Sequence, residues 1–533
     1  MTPSLNPLNK TMKRFSESLQ VLILSLFLTT MGFGIAYSQS PTVLVDPAGA
    51  GGFNLGNDFA SNGWTVANSA NNPWVVGLAN TTTPFDGYSA YISSDGLTPG
   101  YVVTTAASNF FWRDIVVPAG QERVNVSFNW LSGGESTYDL WQVFFVPNST
   151  TPAGSTTYPG SGLSAIPSSL PGAVFVAGSN LQSAAVQTYS GAAYLPAGSY
   201  RLVFHWKNDG SGGTTPGASF DNISVSSQAP ATFTSVATGN WSDPATWGGS
   251  VPSPADNAVV SAGHTVTIDV IVQGVQSLTV AGTLNFGSTP TELQAKDLTV
   301  ENGGLVNVFA GTSTKTLRIN GNLVNNGRIN TLASSSANST LNLNGSAQQT
   351  ISGSGVWGGT VSSSTSTNEV GVIAALTITN TSTAVPRINY TMGGTLRVRS
   401  TFTVNGAVNL NGATWIAGNY AAMGTLTFGA NGGFMNGTYG RWYTTAQTGT
   451  TVSAGVDPAV ASGSSSSSMF PLLNSNGIPR YCWISRTSST STGNTAGEIR
   501  VNYSNEGASF TGNAFADGAY NVSNYWPGTW NVI

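Results

Sequence analysis

Three stretches decide the fold: LTVAGTLNF at residues 278–286, LTVENGGLVNV at 298–308 and LRINGNLVNNGRINT at 317–331. Each alternates apolar and polar residues and then breaks at Asn and Gly, as short strands with tight corners do. Similar strands start at Leu341, Leu376, Leu396 and Leu426. The first three spacings between strand starts are 20, 19 and 24 residues, a length typical of one solenoid coil. Because so short a repeat cannot bury its own apolar stripe, neighbouring coils must stack. We therefore predict a right-handed parallel β-helix over residues 231–440, with a second many-stranded sandwich as the alternative.

A tryptophan-rich segment comes directly before these repeats. It contains, in order, Gly239, Trp241, Asp243, Trp247, Pro252, Asp256, Gly263 and His264. This order resembles the eight-glycine domain of surface proteins and related caps of bacterial β-helices. The resemblance implies that the Trp side chains cover the open end of the core that follows. For His264 we expect a packing or hydrogen-bonding role.

Residues 39–230 carry a different strand pattern. VNVSFNW at 124–130 alternates cleanly, and LWQVFFV at 140–146 is apolar on both faces, which predicts an inner strand. In YRLVFHW at 200–206, His205 falls on the polar face and is expected to be solvated. Because long Gly-, Ser- and Pro-rich loops join such strands, we predict a two-sheet sandwich or jelly roll.

The order of these strands resembles the adhesin-type (cleaved-adhesin) and MAM-like jelly rolls of secreted bacterial proteins. The matching residues are FWRDIVVPAGQERVNVSFNW at 111–130, the D-x-W-x-V of Asp139–Val143, and ASFDNISV at 218–225. In such domains Ca²⁺ often pins the loops, and it takes oxygen ligands. The resemblance implies a structural Ca²⁺ at Asp221, with Glu135 and Asp139 as partners.

The third segment, residues 441–533, has a Ser run that we interpret as a surface loop. RYCWI at 480–484 and EIRVNY at 498–503 then alternate as strands, and Cys482 fits a small buried apolar residue. The segment resembles the β-sandwich that often follows bacterial surface β-helices. Since the sequence ends at Ile533 within a strand-like stretch, we expect this sandwich to be incomplete. Export by type IX secretion is implied by the resemblance alone.

The N-terminus has the features of a secretory signal. Lys13 and Arg14 precede an apolar run, Val21–Phe33, that is too short for a stable membrane span. Small residues before Gln39 predict cleavage after Ser38, so residues 1–38 form the signal peptide. We therefore expect a protein that is secreted or displayed on the outer surface of a Gram-negative bacterium.

The composition excludes several classes of protein. Charged residues make up only 8% of the chain, against about 25% in average soluble domains. One Cys, two His and a net charge of −4 argue against a disulfide scaffold, a zinc finger and a nucleic-acid-binding surface. After the leader there is no second long apolar run, so no membrane span is expected in the mature chain.

Sugar recognition uses exposed aromatic faces with a few directed polar groups. The aromatic residues in or beside loop-like stretches are Trp64, Trp74, Trp112 and Tyr138. They are the candidates for a glycan-binding platform, although filling the core explains any single Trp better.

These observations favour binding over catalysis. The predicted function is adhesion to a glycan or matrix component through the first module, with the β-helix as a stiff spacer. One alternative is a polysaccharide-degrading β-helix enzyme, a lyase or glycosidase, which needs a carboxylate-lined groove. The acids considered for it after the cap are Asp297, Glu301 and Glu369, among others, and the bases are Arg318, Arg328, Arg397 and Arg399. A purely structural surface fibre is the other alternative.

Overall fold

The computed structural model describes residues 40–80, 83–85, 87–179, 182–309, 313–332, 339–359, 370–418, 425–428, 432–443, 469–483, 497–504, 515–517, 520–522 and 529–532. The protein is 51% strand and 2% helix, which confirms the all-β prediction. Among the described residues, no helix is long and apolar enough to cross a membrane. The predicted signal peptide, its cleavage site, the Ser run and Glu369 lie outside the described residues.

The N-terminal segment forms two antiparallel sheets. Its strands are β1 Thr42–Val45, β2 Thr65–Ala67, β3 Trp74–Gly77, β4 Ser89–Ile92, β5 Ala107–Val117, β6 Arg123–Ser132, β7 Leu140–Pro147, β8 Val174–Ser179, β9 Ser183–Tyr194, β10 Gly198–Asn208 and β11 Ser219–Gln228, with a 3-10 turn at Ala50–Gly52. The first sheet has the order β3-β4-β11-β6-β9 with β1 beside β11, and the second has the order β2-β5-β10-β7-β8. Their inner faces meet in one aromatic core, in which Phe204 lies 5.5 Å from Phe128 and 4.8 Å from Phe220.

The outer face of the second sheet is covered by the loop of residues 148–173. Leu170 from this loop packs in a second small core with Phe110, Phe144 and Val203. Strand β7 is therefore buried on both faces, as predicted for 140–146.

His205 shows the consequence of this extra layer. The prediction that it is solvated is wrong, because its side chain is fully buried and stacks on Phe110 at 4.5 Å. Its ring nitrogens pair with Gln142 Oε1 at 3.0 Å and Ser108 Oγ at 2.9 Å. Burial and the charge of Lys207 hold the pKa of His205 well below its ordinary value, so the ring is neutral.

The central segment is a β-solenoid of about seven turns. Its strands are β12 Thr232–Thr234, β13 Gly239–Asn240, β14 Asn257–Val260, β15 Thr265–Ile268, β16 Val272–Val280, β17 Thr283–Phe286, β18 Glu292–Val300, β19 Leu305–Asn307, β20 Thr316–Ile319, β21 Leu323–Asn325, β22 Arg328–Asn330, β23 Thr340–Leu343, β24 Gln349–Ser352, β25 Val356–Trp357, β26 Val372–Ile373, β27 Ala375–Ile378, β28 Ile388–Tyr390, β29 Thr395–Val398, β30 Thr401–Val404, β31 Ala407–Asn409, β32 Thr414–Ala417, β33 Thr425–Phe428, β34 Gly433–Met435 and β35 Thr438–Tyr443, with a 3-10 turn at Pro244–Trp247. Strands of successive coils pair in parallel, and their inward residues form one continuous core. The solenoid prediction is thereby confirmed.

The coil register differs from the one predicted. Leu293, Leu317 and Leu341 stack in one column at intervals of 24 residues, whereas Leu298 stacks under Leu323 in another. The spacing of 19 residues between Leu298 and Leu317 is therefore not a coil length. The reason is that β18 pairs with two strands of the next coil, β20 along its first half and β21 along its second half.

The C-terminal strands are β36 Met469–Leu473, β37 Pro479–Trp483, β38 Gly497–Ser504, β39 Phe515–Asp517, β40 Tyr520–Val522 and β41 Thr529–Val532. Strand β36 runs parallel to β34, and β38 runs antiparallel to β35, so both continue sheets of the solenoid. An ion pair between Arg397 Nη1 and Glu498 Oε2, at 2.5 Å, joins β38 to the coils. Strands β36, β37, β38 and β41 thus extend the sheets of the solenoid, whereas β39 and β40 pair with each other.

Candidate functional site

Three carboxylates converge at one end of the sandwich. Glu135, Asp139 and Asp209 each offer an oxygen, and these oxygens all lie within 4.8 Å of one another. Glu135 and Asp139 lie in the turn between β6 and β7, which closes through a hydrogen bond from the Asp139 N–H to the Glu135 carbonyl at 2.9 Å. Asp209 follows β10 directly, so the antiparallel pairing of β10 with β7 places it at the same end of the sheet. We call these three residues the acidic cluster.

Two glycines let the neighbouring loop approach the acidic cluster. Gly212 and Gly213 have φ of +69° and +91°, which a residue with a Cβ rarely adopts. A Cβ on Gly212 would lie 2.7 Å from Glu135 Oε2, and one on Gly213 would collide with Tyr101 Oη and Asp139 Oδ2. The carboxylates therefore line a small cradle that a larger side chain would fill.

Asp139 is the buried member of the acidic cluster. Tyr101 Oη donates a hydrogen bond of 2.6 Å to its Oδ2, and the N–H of Asp209 donates one of 3.0 Å to its Oδ1. Burial raises the pKa of Asp139 to about 6, although both hydrogen bonds favour the ionised form. Burial also raises the pKa of Tyr101, so its phenol stays protonated. Near neutral pH the cluster therefore carries negative charge that its surroundings only partly compensate.

The donor set fits a hard divalent cation. All three groups supply carboxylate oxygens, the ligands that Ca²⁺ prefers, and none supplies sulfur or imidazole. Each hydrogen-bonded oxygen of Asp139 keeps a second lone pair. Glu135 and Asp139 would hold such an ion with Asp209.

The sequence interpretation named Glu135 and Asp139 but paired them with Asp221. Asp221 lies on β11 opposite Asn129 and accepts the N–H of Asn222 at 2.7 Å, and it is not a member of the acidic cluster. Asp209 was missed, although its Gly-rich turn NDGSGG at 208–213 was a usable signal. Metal binding itself stays a prediction.

The predicted aromatic platform needs correction. Trp64, Trp74 and Trp112 are only 2–6% exposed. Trp64 and Trp74 belong to the aromatic core between the sheets, and Trp112 lies under the loop that covers the second sheet. They are therefore not available as an exposed surface, because packing between the two sheets or under the covering loop encloses them. Tyr138 is 41% exposed and lies in the same turn as Glu135 and Asp139.

A buried lysine fixes the loop beside the acidic cluster. Lys207 Nζ donates hydrogen bonds to the carbonyls of Gly160 at 2.8 Å and Gly162 at 2.7 Å. The ammonium lies 5.7 Å from the centre of the Tyr158 ring, and Tyr158 Oη donates to the Tyr138 carbonyl at 3.2 Å. Burial lowers the pKa of Lys207 to about 8. This side chain thus ties Tyr158 to the edge of the site.

Three of the residues named for a catalytic groove, Arg318, Arg397 and Asp297, serve other contacts. Arg318 pairs with Glu292 at 2.7 Å, and Arg397 pairs with Glu498. Asp297 Oδ1 accepts the N–H of Asn322 from the next coil at 2.6 Å. The contacts of Arg318 and Asp297 join neighbouring coils, and that of Arg397 joins β38 to the coils. Within the described residues, the acidic cluster of the sandwich is the one grouping of three acidic or metal-binding side chains close enough to share an ion.

The entrance to the solenoid is closed by two tryptophans. Trp241 and Trp247 meet edge to face at 4.9 Å, and Trp247 Nε1 donates to the Trp241 carbonyl at 2.8 Å. Both are buried in the solenoid core, as the cap resemblance implied. His264 Nδ1 lies 3.0 Å from Ser235 Oγ, which agrees with the expected hydrogen-bonding role.

A column of glycines runs up one corner of the first coils. Gly282, Gly304, Gly327 and Gly355 each come directly before a strand, one per coil. A Cβ on any of them would collide with a main-chain carbonyl of the preceding coil. Successive glycines are also linked by main-chain hydrogen bonds of 2.8–2.9 Å. The carbonyls of Gly282, Gly304 and Gly327 accept the N–H groups of Leu305, Arg328 and Val356, respectively. Sequence reasoning did not single out this column, although its place before each strand was a signal.

Residues 246–352 match the G8 domain family. G8 is an extracellular domain family, so the match and the solenoid together fit an extracellular or surface β-helix protein, as the resemblance of the cap indicated. The Trp cap and the glycine column lie in and directly around this G8 segment.

No curated protein sequence matches the chain. Among solved structures, one that resembles it is the Stig cyclase FisC from Fischerella sp. TAU, in complex with (3Z)-3-(1-methyl-2-pyrrolidinylidene)-3H-indole. The identity is 13%, the TM-score is 0.22, and the match covers 36% of this chain and 100% of the cyclase. So low a TM-score has no bearing on the fold or function of this chain.

Proposed function

We propose that this protein is an adhesin-like protein, secreted or displayed on the surface of a Gram-negative bacterium. It binds a glycan or matrix component through the sandwich, and the solenoid is a stiff spacer. The G8 segment and the β-solenoid support an extracellular location. Type IX secretion and a MAM-like origin of the sandwich belong to the same proposal.

The acidic cluster carries the proposal. It lies at a loop end of the sandwich, with the exposed Tyr138 in its own turn and Tyr158 on the neighbouring loop. Carboxylates beside aromatic rings are the groups that sugar sites use, because sugar hydroxyls donate to the acids and C–H faces pack on the rings. In this proposal a Ca²⁺ ion held by the three carboxylates fixes the loops and contacts the ligand.

The chemistry of the surrounding chain favours an uncharged ligand. Residues 140–200, which include β7, β8, β9 and the covering loop, contain no Asp, Glu, Lys or Arg. This surface attracts neither polyanions nor polycations at long range. Its many Ser and Thr hydroxyls and the exposed Phe175 suit short-range contacts with a neutral glycan.

The experiment is a glycan-array assay with the full chain, in Ca²⁺ and then in chelator. The test variant is Asp209→Asn, and the matched control is Glu301→Gln, an exposed acid on the solenoid. We expect specific binding that is lost with chelator and with Asp209→Asn but retained by the control. Binding that survives both changes removes the metal from the proposal. The absence of any binding overturns the adhesin proposal and favours a structural fibre.

A further inference from the structure

A pocket of about 420 Å³ opens at the first coils of the solenoid. It is lined by residues 241–242 and 251–254 of the Trp cap and by residues 270–272 at the start of β16. Its volume falls within the ~300–1,000 Å³ typical of small-molecule sites. The pocket belongs to the solenoid and is built without any residue of the acidic cluster.

The walls of this pocket are largely apolar. Val251, Pro252 and Pro254 lie on one side, and Val270 and Ile271 come from the opposite segment. Val270 and Ile271 are adjacent in sequence, yet 42% and 54% of their surfaces are exposed. Exposed branched side chains of this kind gain burial when a ligand covers them. Trp241 also lines the pocket while only 2% exposed, so it forms part of the base.

The polar atoms at this pocket are arranged to accept hydrogen bonds. Ser242 Oγ donates to Asp269 Oδ2 at 2.5 Å, and Ser253 Oγ donates to Asp256 Oδ2 at 2.5 Å. A carboxylate can only accept, so both hydroxyl protons are already used and the two serine oxygens are left as acceptors. Ser253 Oγ already accepts a hydrogen bond from Arg123 Nη2 at 3.2 Å, so it can accept at most one more from a ligand. Ser242 Oγ is therefore the better acceptor for a ligand hydroxyl.

The pocket is also fixed in shape before any ligand arrives. Asp256 accepts the N–H of Ser253 at 2.9 Å, and the N–H of Ser242 donates to Asp269 Oδ1 at 3.0 Å. Both serines are thus held by main chain and side chain together. No lining residue is charged. Of the two nearby carboxylates, Asp256 pairs with Arg123, and Asp269 accepts both hydrogen bonds of Ser242. A site of this kind favours a neutral ligand with one apolar face and hydroxyl donors along its edge.

We infer that this pocket at the cap of the solenoid binds a neutral pyranose sugar. The apolar C–H face packs on Val270, Ile271 and the proline wall, and ring hydroxyls donate to Ser242 Oγ. This inference does not depend on the proposed function of the acidic cluster, because the two sites share no residue.

The test is saturation-transfer NMR on the full chain with the methyl pyranosides of glucose, galactose and mannose as probes. Ile271→Asp and Val270→Ser remove apolar contact at positions exposed enough for the fold to be kept. Val116→Asp, on an exposed position of the sandwich, is the matched control. We expect at least one probe to bind the native chain, with about tenfold weaker affinity in each pocket variant and no change in the control.

Three results overturn the inference. The first is the absence of saturation transfer to all three sugars at millimolar concentration. The second is equal binding by Ile271→Asp, Val270→Ser and the native chain. The third is binding that disappears with chelator or with Asp209→Asn, which assigns the sugar to the acidic cluster instead. Thermal unfolding of each variant checks that the fold is intact.

Discussion

Arg123 of the sandwich and Asp256 of the solenoid form an ion pair, with Arg123 Nε 3.4 Å from Asp256 Oδ1 and the carboxylate fully buried. Asp256 also accepts the N–H of Ala231 in the linker at 3.1 Å. A second contact between the two parts places Lys296 Nζ 5.3 Å from the centre of the Tyr194 ring. The sandwich is therefore held against the solenoid by directed contacts in addition to the covalent linker.

We expect Asp256→Asn to lower the free energy of unfolding by about 2–3 kcal/mol, because it leaves Arg123 without its buried counter-charge. The linker at 228–232 should become sensitive to protease. Asp114→Asn is the control, since Asp114 pairs with Arg201 but its side chain is 65% exposed and such pairs contribute about 0–1 kcal/mol. Denaturant unfolding and limited proteolysis measure both effects. Equal losses of unfolding free energy in Asp256→Asn and Asp114→Asn would contradict a stabilising role of the buried Arg123–Asp256 pair.

The glycine column predicts an unusually costly small substitution. Gly304→Ala places a Cβ against the main-chain carbonyl of Val280, which cannot move without breaking the coil pairing. We expect a loss of about 2–4 kcal/mol in stability. Gly100→Ala is the matched control, because a Cβ there meets nothing within 4 Å and its φ is not in the left-handed region. Thermal unfolding compares them, and a Gly304→Ala protein as stable as the control contradicts the close packing.

Asp139 predicts a pH dependence of the acidic cluster. Its pKa is about 6 in the folded chain against an ordinary value of 3.8, so the folded state binds more protons between these values. Without metal, stability should therefore fall as pH rises from about 4 to 6, by about 2–3 kcal/mol. Asp139→Asn should remove this dependence. Thermal unfolding across pH measures it, and an unchanged profile in the variant excludes Asp139 as its source.

The same carboxylate predicts when Ca²⁺ stabilises the protein. A bound cation needs Asp139 ionised, so added Ca²⁺ should raise Tm at pH 7.5 and have little effect at pH 5. Glu301→Gln should respond as the native chain does, whereas Asp209→Asn should not respond. A Ca²⁺ effect of equal size at both pH values would place the ion elsewhere.

Lys207 predicts the behaviour of the covering loop. Lys207→Met leaves the carbonyls of Gly160 and Gly162 without their donor, so the loop of residues 148–173 should be cleaved several-fold faster by protease. Its pKa of about 8 lies below the ordinary 10.5, so the native chain should gain stability as pH rises between these values, and the variant should not. Lys296→Met is the control for loop cleavage, because Lys296 lies on β18 of the solenoid and its ring contact is with Tyr194, outside the covering loop. Unchanged loop cleavage in Lys207→Met would contradict the role of the ammonium.

Strand type and strand position could be read from local pattern. Strand β6 buries Val124, Val126 and Phe128 and leaves the residues between them partly exposed, as the alternation predicted. The cap could also be predicted from the sequence, because Trp241 and Trp247 lie within a short segment whose residue order forms a recognisable motif. The strand alternation and the cap motif both depend on residues that are neighbours in the sequence, so they can be predicted without the tertiary structure.

Contacts between distant segments could not be read in this way. The loop of residues 148–173 covers the outer face of the second sheet and buries His205 and Trp112. The polar neighbours of His205 and the loop-like sequence around Trp112 give no sign of this covering loop. Asp209 joins Glu135 and Asp139 only because β10 and β7 pair antiparallel and end together. The register of Leu298 against Leu323 depends on where the chain turns a corner.

The sequence by itself determined an all-β chain, a stacked solenoid and its tryptophan cap. These features depend on the alternation of apolar and polar residues and on small residues at the corners, and both are patterns within a few neighbouring positions. The tertiary structure decided which aromatic rings are buried, which carboxylates meet and where a pocket opens. These depend on the pairing of strands far apart in the chain and on which loop covers which sheet face. A period-two pattern specifies that a side chain faces one side of a sheet, and only the packed neighbours decide whether that side is core or surface.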